Sequence, residues 1–535
     1  MTTNPPNVLL IVADDLGYSD LGCYGGELST PHLDTLAAGG VRLAQFHTTA
    51  RCSPSRASLL TGLHPHQTGI GVLTNDDRPR GYPGSLNSRC QTMAELLHPD
   101  GYVTALSGKW HLASDMLNPN DSWPTRRGFD SFFGTLTGCG SYFDPGTLTR
   151  GEQPADDARA DPDFYYTDAI TADACTRIRG AVTAGRPFFS YVAYTAPHWP
   201  LHARDSDLLA HRGRFRAGWD ELRAVRLGRQ RELGLISDDA ALTDRDPRVP
   251  AWADEPHQDW QQRRMEAYAA QVARMDAGVG ELLATLNDTG CRDNTLVIFL
   301  SDNGASDETL PQIQERSFRQ RTDIFRANTR DGRLVRLGND PTIDPGPEDT
   351  YASYGRAWAN LSNAPFRLYK RYTHQGGIAG PLIASWPAGE LTAGAILQQP
   401  FALVDVLPTV LQATGGRYPA RVPGRDPVPL AGRSMLPAWR GGTVEDRPLF
   451  FEHTGNAAVR SGRWKLVRGY PNAWELYDMT VDRSETTDLA AAHPDVVAEL
   501  TAVWRDWANR AGVIPWEVTV RVYAERGLTA EHAMG

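Results

Sequence analysis

Short apolar runs alternate with amphipathic helical patterns over roughly the first 420 residues of the chain. The runs are rich in Val, Ile, Phe and Tyr and have the length of buried β-strands, whereas the stretches between them place apolar residues at helical spacing. We predict strands at residues 7–12, 102–106, 188–194, 295–300 and 381–385, and a helix at 265–286. Strands that alternate with helices predict an α/β domain with a large, mostly parallel sheet.

The first helix has clear start and stop signals. Thr30 and Pro31 offer an N-cap and a first-turn proline, and Gly39-Gly40 ends the pattern. The apolar run that follows predicts a further strand at residues 41–46.

The rhythm changes after about residue 425, where short strands are separated by turns. We predict strands at 448–451, 458–460, 464–467 and 474–477, followed by a helix at 496–508. This pattern is typical of a small antiparallel sheet backed by a helix. We therefore expect two units, a large α/β domain at 1–425 and a small α+β subdomain at 426–535.

Two long excursions interrupt the α/β pattern, at about residues 200–260 and 305–360. Insertions of this length in a compact domain are usually functional loops or lids. We expect them to form walls of a substrate cleft.

The charge balance excludes some classes of partner. The net charge is −10, with 41% hydrophobic and 22% charged residues, so we expect a folded chain that binds neither nucleic acid nor an anionic membrane. A site for an anionic substrate must then depend on a few placed cations. No leader-like segment and no run of membrane-spanning length occurs, which predicts a cytoplasmic protein whose six scattered cysteines are free thiols.

Polar residues follow four of the predicted strands. Asp14-Asp15 and Asp302-Asn303 supply hard oxygen ligands, which suit Ca²⁺ or Mg²⁺. Lys109 and His111 follow the strand at 102–106, and His198 follows the strand at 188–194. Since ligands bind beyond the carboxyl ends of parallel strands, we expect these groups to meet at one sheet edge.

Cys52 is the one cysteine in an unusual context. Pro54 suits a first helical turn, which would place Cys52 at a helix N-terminus, where backbone N–H groups favour negative charge. Such a thiol is either a low-pKa nucleophile or a small buried hydrophobe that meets this pattern by coincidence.

At this point the chain resembles the type I sulfatases of the alkaline-phosphatase-like superfamily. Residues 52–56, CSPSR, match the C-x-P-x-R element of that family, and residues 101–111, GYVTALSGKWH, resemble its second signature. Residues 7–17 and 301–304 match its metal-binding segments, and Lys370 matches a third basic position. The resemblance extends through the small C-terminal sheet.

The resemblance implies a fold, a cofactor and a maturation partner. The fold is a large mixed, mostly parallel sheet sandwiched by helices, with the smaller C-terminal sheet beside it. A formylglycine-generating enzyme would oxidise Cys52 to formylglycine. The metal, Ca²⁺ first and Mg²⁺ second, would be bound by Asp14, Asp15, Asp302, Asn303 and the converted residue 52.

The resemblance also implies a role for each remaining residue. The hydrated aldehyde at position 52 would attack the sulfur of a sulfate ester, with Asp302 as proton acceptor and Arg56 holding the diol. Lys109 and Lys370 would bind sulfate oxygens, and His198 would act as general acid, with Lys370 as a second candidate. His111 would then remove the proton of the second hydroxyl so that the aldehyde reforms and sulfate leaves.

One position departs from the family pattern. Gln375 stands where members often have a glutamate, which leaves open how Lys370 is supported. His374 is an extra imidazole beside it. Trp199 and Trp219 are candidates for an aromatic platform under a small-molecule sulfate ester, with buried packing as the alternative for both.

Two other functions remain open. A phosphonate monoester or phosphodiester hydrolase of the same superfamily can share the formylglycine element, although Lys109 and His111 favour a sulfate ester. A non-catalytic relative that binds a metal or a carbohydrate would keep the fold and would not need Cys52 converted.

Overall fold

The computed structural model describes residues 5–311, 313–419 and 427–534. Its strands in chain order are β1 (Asn7–Ala13), β2 (Val41–Leu43), β3 (Phe46–His47), β4 (Val103–Gly108), β5 (Ser131–Thr135), β6 (Leu148–Arg150), β7 (Gln153–Pro154), β8 (Phe188–Ala193), β9 (Thr295–Ser301), β10 (Arg336–Leu337), β11 (Thr350–Tyr351), β12 (Ala379–Gly380), β13 (Leu382–Ser385), β14 (Ile396–Leu397), β15 (Phe401–Ala402), β16 (Leu449–His453), β17 (Asn456–Ser461), β18 (Trp464–Arg468) and β19 (Glu475–Asp478). Its α-helices are α1 (Pro31–Ala38), α2 (Cys52–Thr61), α3 (Pro65–Thr68), α4 (Met93–Leu97), α5 (Asp156–Arg159), α6 (Tyr166–Thr183), α7 (Asp205–His211), α8 (Gly218–Glu232), α9 (Gln258–Asp288), α10 (Glu315–Arg319), α11 (Gly355–Ser362), α12 (Gln375–Ile378), α13 (Val406–Thr414), α14 (Leu436–Trp439), α15 (Pro494–Ala511) and α16 (Trp516–Glu525).

Ten strands form the main sheet, in the order β14-β2-β13-β9-β1-β8-β4-β5-β6-β7. The five central strands, from β9 to β5, run parallel, and the antiparallel pairings lie toward the two edges. The predicted large, mostly parallel sheet is therefore confirmed. Each of the five predicted strands ends within two residues of its observed bounds.

Both faces of the sheet are covered because the central strands are apolar on both sides. Along β1, Leu9 and Ile11 join one buried cluster, to which α6 and α9 contribute, and Leu10 and Val12 join the other, to which α2, α4 and α13 contribute. The sheet therefore lies between two layers of helices.

Two local predictions were wrong. The strand at 41–46 is two strands, because the chain turns at residues 44–45 so that β2 pairs in the main sheet and β3 in a small three-stranded sheet. Thr30 precedes α1 but its side chain does not cap the helix. The carboxylate of Asp276, on α9, accepts the His32 and Leu33 backbone N–H groups instead.

The C-terminal sheet has the order β16-β17-β18-β19 and is antiparallel, as predicted. Helix α15 packs on it through Leu500, Trp504 and Trp507. The unpredicted helix α16 leaves this unit and packs against Val72 and Tyr82. The boundary that we predict between residues 425 and 426 lies outside the described residues and stays a prediction.

The two excursions contain more regular structure than their sequences indicated. The first includes α7 and α8, and the second includes α10, β10, β11 and part of α11. Across the described ranges, no helix combines the length and the apolar character needed to cross a bilayer. All six cysteines are free, as predicted.

Candidate active site

The carboxyl ends of β1 and β9 bring four polar side chains together. The two strands are parallel neighbours, with Ala13 beside Ser301, so the residues that follow them start from the same sheet edge. The Asn303 amide nitrogen donates to Asp15 at 2.6 Å, and the Asp15 backbone N–H lies 3.4 Å from the Asp302 carboxylate. The predicted convergence of oxygen ligands therefore occurs.

Lys109 reaches this edge from β4. Its ammonium group contacts the Asp14 carboxylate, and neither side chain is exposed to solvent. Gly108 allows the chain to turn here, because it has φ of 118° and an added Cβ would lie 2.0 Å from the Ala193 carbonyl oxygen.

Arg56, on the second turn of α2, completes the group. Its Nε donates to Asp302 at 2.9 Å, and its Nη2 lies 3.6 Å from Asp14. We call the set made of these six residues the strand-end cluster: Asp14, Asp15, Arg56, Lys109, Asp302 and Asn303.

The cluster has acceptor atoms that no protein group satisfies. Asp14 Oδ1 and Asn303 Oδ1 are buried and have no hydrogen-bond partner among the described residues. Carboxylate oxygens of Asp14 and Asp15 and a ring nitrogen of His198 lie within 4.8 Å of one another. Buried acceptors without donors, on mostly oxygen ligands, fit a hard divalent cation.

The pKa values of Asp14 and Asp302 also indicate a site for a cation. Burial favours a higher pKa for Asp14, but the nearby Lys109, His198 and Arg56 charges outweigh it and lower that pKa to about 2. Burial and the neighbouring Asp14 charge raise the pKa of Asp302 to about 7. Like charges this close resist joint ionisation, and a bound cation would relieve that repulsion.

Cys52 is the first residue of α2, as predicted, and every residue of this helix is buried. Its sulfur lies 3.4 Å from His111 Nδ1. Burial, reinforced by the Lys109 and Arg56 charges, holds the pKa of His111 well below its usual value, so the ring is neutral. If Cys52 is converted to formylglycine, an oxygen takes the place of Sγ on the same carbon. That oxygen would lie within reach of the neutral His111 ring.

Lys370 and His198 form the opposite wall. The Lys370 ammonium group lies 2.9 Å from Asp15 and 3.2 Å from His198 Nε2. His198 Nδ1 lies 2.7 Å from the Trp199 carbonyl oxygen, so Nδ1 carries a proton and Nε2 faces Lys370. Burial lowers the pKa of His198, against the opposing effect of Asp15.

A cavity of about 60 Å³ lies over these groups, and Cys52, His111, His198 and Lys370 contribute to its walls. Other wall residues come from outside the motifs: Arg51, Leu73, Thr74, Asn75, Thr137, Gly138, Cys139, Trp199, Arg321 and Ile324. All ten predicted site residues are thus brought to one edge of the sheet.

Several neighbours of the site were missed. Arg51 precedes Cys52 and forms a 2.6 Å ion pair with Glu308, which also accepts a hydrogen bond from the Trp199 indole. Arg321 comes from the second excursion and pairs with Asp323. The contacts of Glu308 join distant segments, and no local spacing in the sequence indicates them.

The other candidate residues from the sequence lie at three different places in the structure. Trp199 lines the cavity, whereas Trp219 packs among Trp252 and Trp358. His374 lies against a different cavity of about 570 Å³, between the first excursion and the C-terminal sheet. Trp219 therefore has the packing role that its sequence left open.

Gln375 stands where relatives often have a glutamate, but another carboxylate lies close to it in the structure. Glu485 of the C-terminal unit accepts the Gln375 backbone N–H at 3.0 Å. A carboxylate therefore stands beside this position, although the Gln375 side chain does not supply it.

Comparison with known proteins agrees with this geometry. The family model described as Sulfatase matches residues 6–416, and the model described as N-sulphoglucosamine sulphohydrolase, C-terminal, matches residues 366–506. An uncharacterized sulfatase of Schizosaccharomyces pombe is 34% identical over 95% of this chain and 94% of its own length. An arylsulfatase of Klebsiella aerogenes is 34% identical over 77% of this chain and 87% of its own. In fold, the chain resembles the crystal structure of Ps i-CgsB in complex with k-i-k-neocarrahexaose, with a TM-score of 0.66 and 24% identity over 96% of this chain and 94% of that one.

Proposed function

This chain belongs to the sulfatase family, and we propose that it hydrolyses sulfate monoesters, aryl sulfates or related esters, through a formylglycine hydrate made from Cys52 and a covalent sulfo-enzyme. As a family member it is a sulfuric ester hydrolase. The observation that carries the finer proposal is the position of Cys52, at the start of a buried helix and 3.4 Å from a neutral histidine.

Asp14, Asp15, Asp302 and Asn303 would hold the metal, with residue 52 as a further ligand. We propose Ca²⁺, with Mg²⁺ as the second choice, because hard oxygens predominate. When bound, the cation would supply Lewis acidity that favours ionisation of a hydroxyl at position 52.

The first half of the reaction forms a bond from a hydroxyl oxygen of residue 52 to sulfur and breaks the bond from sulfur to the leaving oxygen. Asp302 accepts the proton of the attacking hydroxyl while Arg56 orients that group. Lys109 and Lys370 stabilise the charge that develops on the sulfate oxygens. Lys370, whose Nζ lies 3.2 Å from His198 Nε2, supplies the proton that Nε2 passes to the leaving oxygen, because His198 carries its own proton on Nδ1, which faces the Trp199 carbonyl oxygen at 2.7 Å.

The second half releases sulfate. His111 accepts the proton of the remaining hydroxyl at Nδ1, the carbonyl of residue 52 reforms, and the bond from its carbon to the sulfate oxygen breaks. Water then restores the hydrate, so ester and water become alcohol and sulfate. A serine or an unmodified cysteine lacks the second hydroxyl and could not complete this step.

The test is hydrolysis of p-nitrophenyl sulfate by protein whose Cys52 conversion has been measured by mass spectrometry. We expect sulfate turnover that exceeds turnover of p-nitrophenyl phosphate. Converted protein that hydrolyses the phosphate or a phosphonate monoester but no sulfate would replace this proposal with the phosphorus-ester alternative. Conversion requires a formylglycine-generating enzyme, so co-expression with one should raise the active fraction.

A further inference from the structure

Glu308 is a buried carboxylate to which none of the motifs assigns a role. Its side chain is 5% exposed, and its Oε1 lies 2.6 Å from Arg51 Nη1. Its Oε2 accepts hydrogen bonds from Trp199 Nε1 at 2.8 Å and from Ser306 Oγ at 3.0 Å. The Lys370 ammonium group lies 3.5 Å from the same oxygen. One carboxylate therefore joins its own segment, which includes Ser306, to three other segments of the chain.

Three of these partners continue directly into the proposed machinery. Arg51 is the residue before Cys52. Lys370 Nζ is 3.2 Å from His198 Nε2, and the Trp199 carbonyl oxygen fixes the other ring nitrogen. The Trp199 ring packs against the His198 ring, with their centroids 4.5 Å apart. Glu308 thus holds two of the groups around the His198 ring; a third, the Asp15 carboxylate, lies 3.3 Å from Nε2.

The negative charge of Glu308 lies between two positively charged side chains. Burial favours a higher pKa for Glu308, but Lys370 and Arg51 outweigh it and hold the pKa well below the usual value. Without this carboxylate Lys370 would lose one of its two neighbouring anions, and a buried cation that loses an anion moves toward water or toward the anion that remains. For Lys370, the remaining anion is Asp15, at 2.9 Å.

We propose that Glu308 is a positioning residue that fixes Lys370 and His198 on the leaving-group side of the pocket. The inference rests on the proposed function. Its physical basis is that proton donation needs a donor within hydrogen-bond reach of the leaving oxygen, so a displaced donor slows the reaction most when that oxygen is strongly basic.

The experiment compares Glu308→Gln and Glu308→Asp with the parent enzyme on aryl sulfates whose phenols differ in acidity. We expect kcat for phenyl sulfate to fall by about 100-fold in Glu308→Gln and kcat for p-nitrophenyl sulfate by about 10-fold, which steepens the dependence on leaving-group pKa. Glu308→Asp keeps the charge but withdraws it by one methylene, and we expect the same steepening. An aspartate variant that behaves like the parent would overturn positioning and leave charge alone as the role.

Asp307→Asn is the matched control. Asp307 is the adjacent residue, its side chain is 3% exposed, and it pairs with Arg356 at 3.0 Å and with Arg371 at 3.8 Å. We expect thermal stability to fall in this variant while the leaving-group dependence stays that of the parent. Equal steepening in Asp307→Asn would mean that any lost buried carboxylate has this effect, which overturns the proposal.

Folding and the underlying function are checked separately. Thermal melts by circular dichroism show whether each variant is folded, and Glu308→Asp decides the question if Glu308→Gln is not. A folded Glu308→Asp with the parent's leaving-group dependence contradicts the inference alone. A parent protein with converted Cys52 that hydrolyses no aryl sulfate contradicts the proposed function instead.

Discussion

The strand-end cluster and the Lys465–Glu485 pair of the C-terminal sheet are both buried groups of opposite charges. In the pair, Lys465 contacts Glu485 Oε1 at 2.5 Å and the Gln375 backbone N–H satisfies Oε2 at 3.0 Å. In the cluster, Asp14 Oδ1 and Asn303 Oδ1 have no donor among the described residues. Buried charge alone therefore does not mark a ligand site in this protein; the cluster differs from the pair because acceptors without donors converge there with further carboxylate oxygens.

The largest expected effect tests the cluster side of this comparison. Cys52→Ala should lower sulfate turnover at least about 10⁴-fold, because it removes the proposed nucleophile. Its thermal melt should remain close to that of the parent, since the change removes one small group. Turnover by purified Cys52→Ala within tenfold of the parent would exclude Cys52 as the source of the nucleophile.

Asp14→Asn is expected to have the second-largest effect. We predict that turnover falls about 10³-fold, because a proposed metal ligand loses its charge. Ca²⁺ should raise the melting temperature of the parent over that in EDTA, and this difference should disappear in the variant. If Ca²⁺ raised the melting temperature of both proteins equally, Asp14 would not be a ligand of the bound Ca²⁺.

A substitution in the Lys465–Glu485 pair should lower stability and leave turnover nearly unchanged. Lys465→Met leaves the Glu485 carboxylate buried without its cation, which should cost roughly 3–5 kcal/mol of unfolding free energy in urea. The kcat of the folded fraction should stay within about threefold of the parent. A 100-fold loss of kcat at unchanged stability would make this pair part of the active site.

Asp276 extends the comparison to a satisfied carboxylate, since it accepts two backbone N–H groups. Burial raises its pKa from 3.8 to about 6, so folding favours the protonated form. That stabilisation is complete below the unfolded pKa and is lost as pH rises through about 6. The stability of the parent relative to Asp276→Asn should therefore fall by about 1–3 kcal/mol between pH 4 and pH 7. Urea unfolding of both proteins at the two pH values measures it, and an unchanged difference would contradict the prediction.

Most of the fold could be predicted because strand hydrophobicity is local. Residues 7–12 and 295–300 are apolar runs that end in acidic residues, so the sheet edge could be inferred before any pairing was known. The split at residues 44–45 could not, because it depends on which distant strands β2 and β3 meet. The same holds for Asp276, which caps a helix more than 240 positions away.

The candidate site also has one part that the sequence predicts and another that depends on contacts between distant segments. The ten predicted residues follow strand ends and motifs, and they form the strand-end cluster and the part of the cavity wall made by Cys52, His111, His198 and Lys370. The rest of the wall comes from contacts between segments, as Glu308 with Arg51 and Trp199 shows. Hydrogen bonds of this kind carry no periodicity, so the sequence did not identify the wall residues. Of the two excursions predicted as walls, the second lines this cavity through Arg321 and Ile324, whereas the first lines the larger cavity beside His374.

Helix α16 reaches back to the rim of the cavity that Cys52 lines. Trp516, Val522 and Tyr523 pack against Val72 and Tyr82, and Arg526 pairs with Asp77 at 2.9 Å, while Leu73, Thr74 and Asn75 of the same loop line the cavity. Two segments more than 430 positions apart thus share one surface. Across relatives, a change in either segment should be inherited together with a change in the other, so covariation between them would record how substrate preference has diverged.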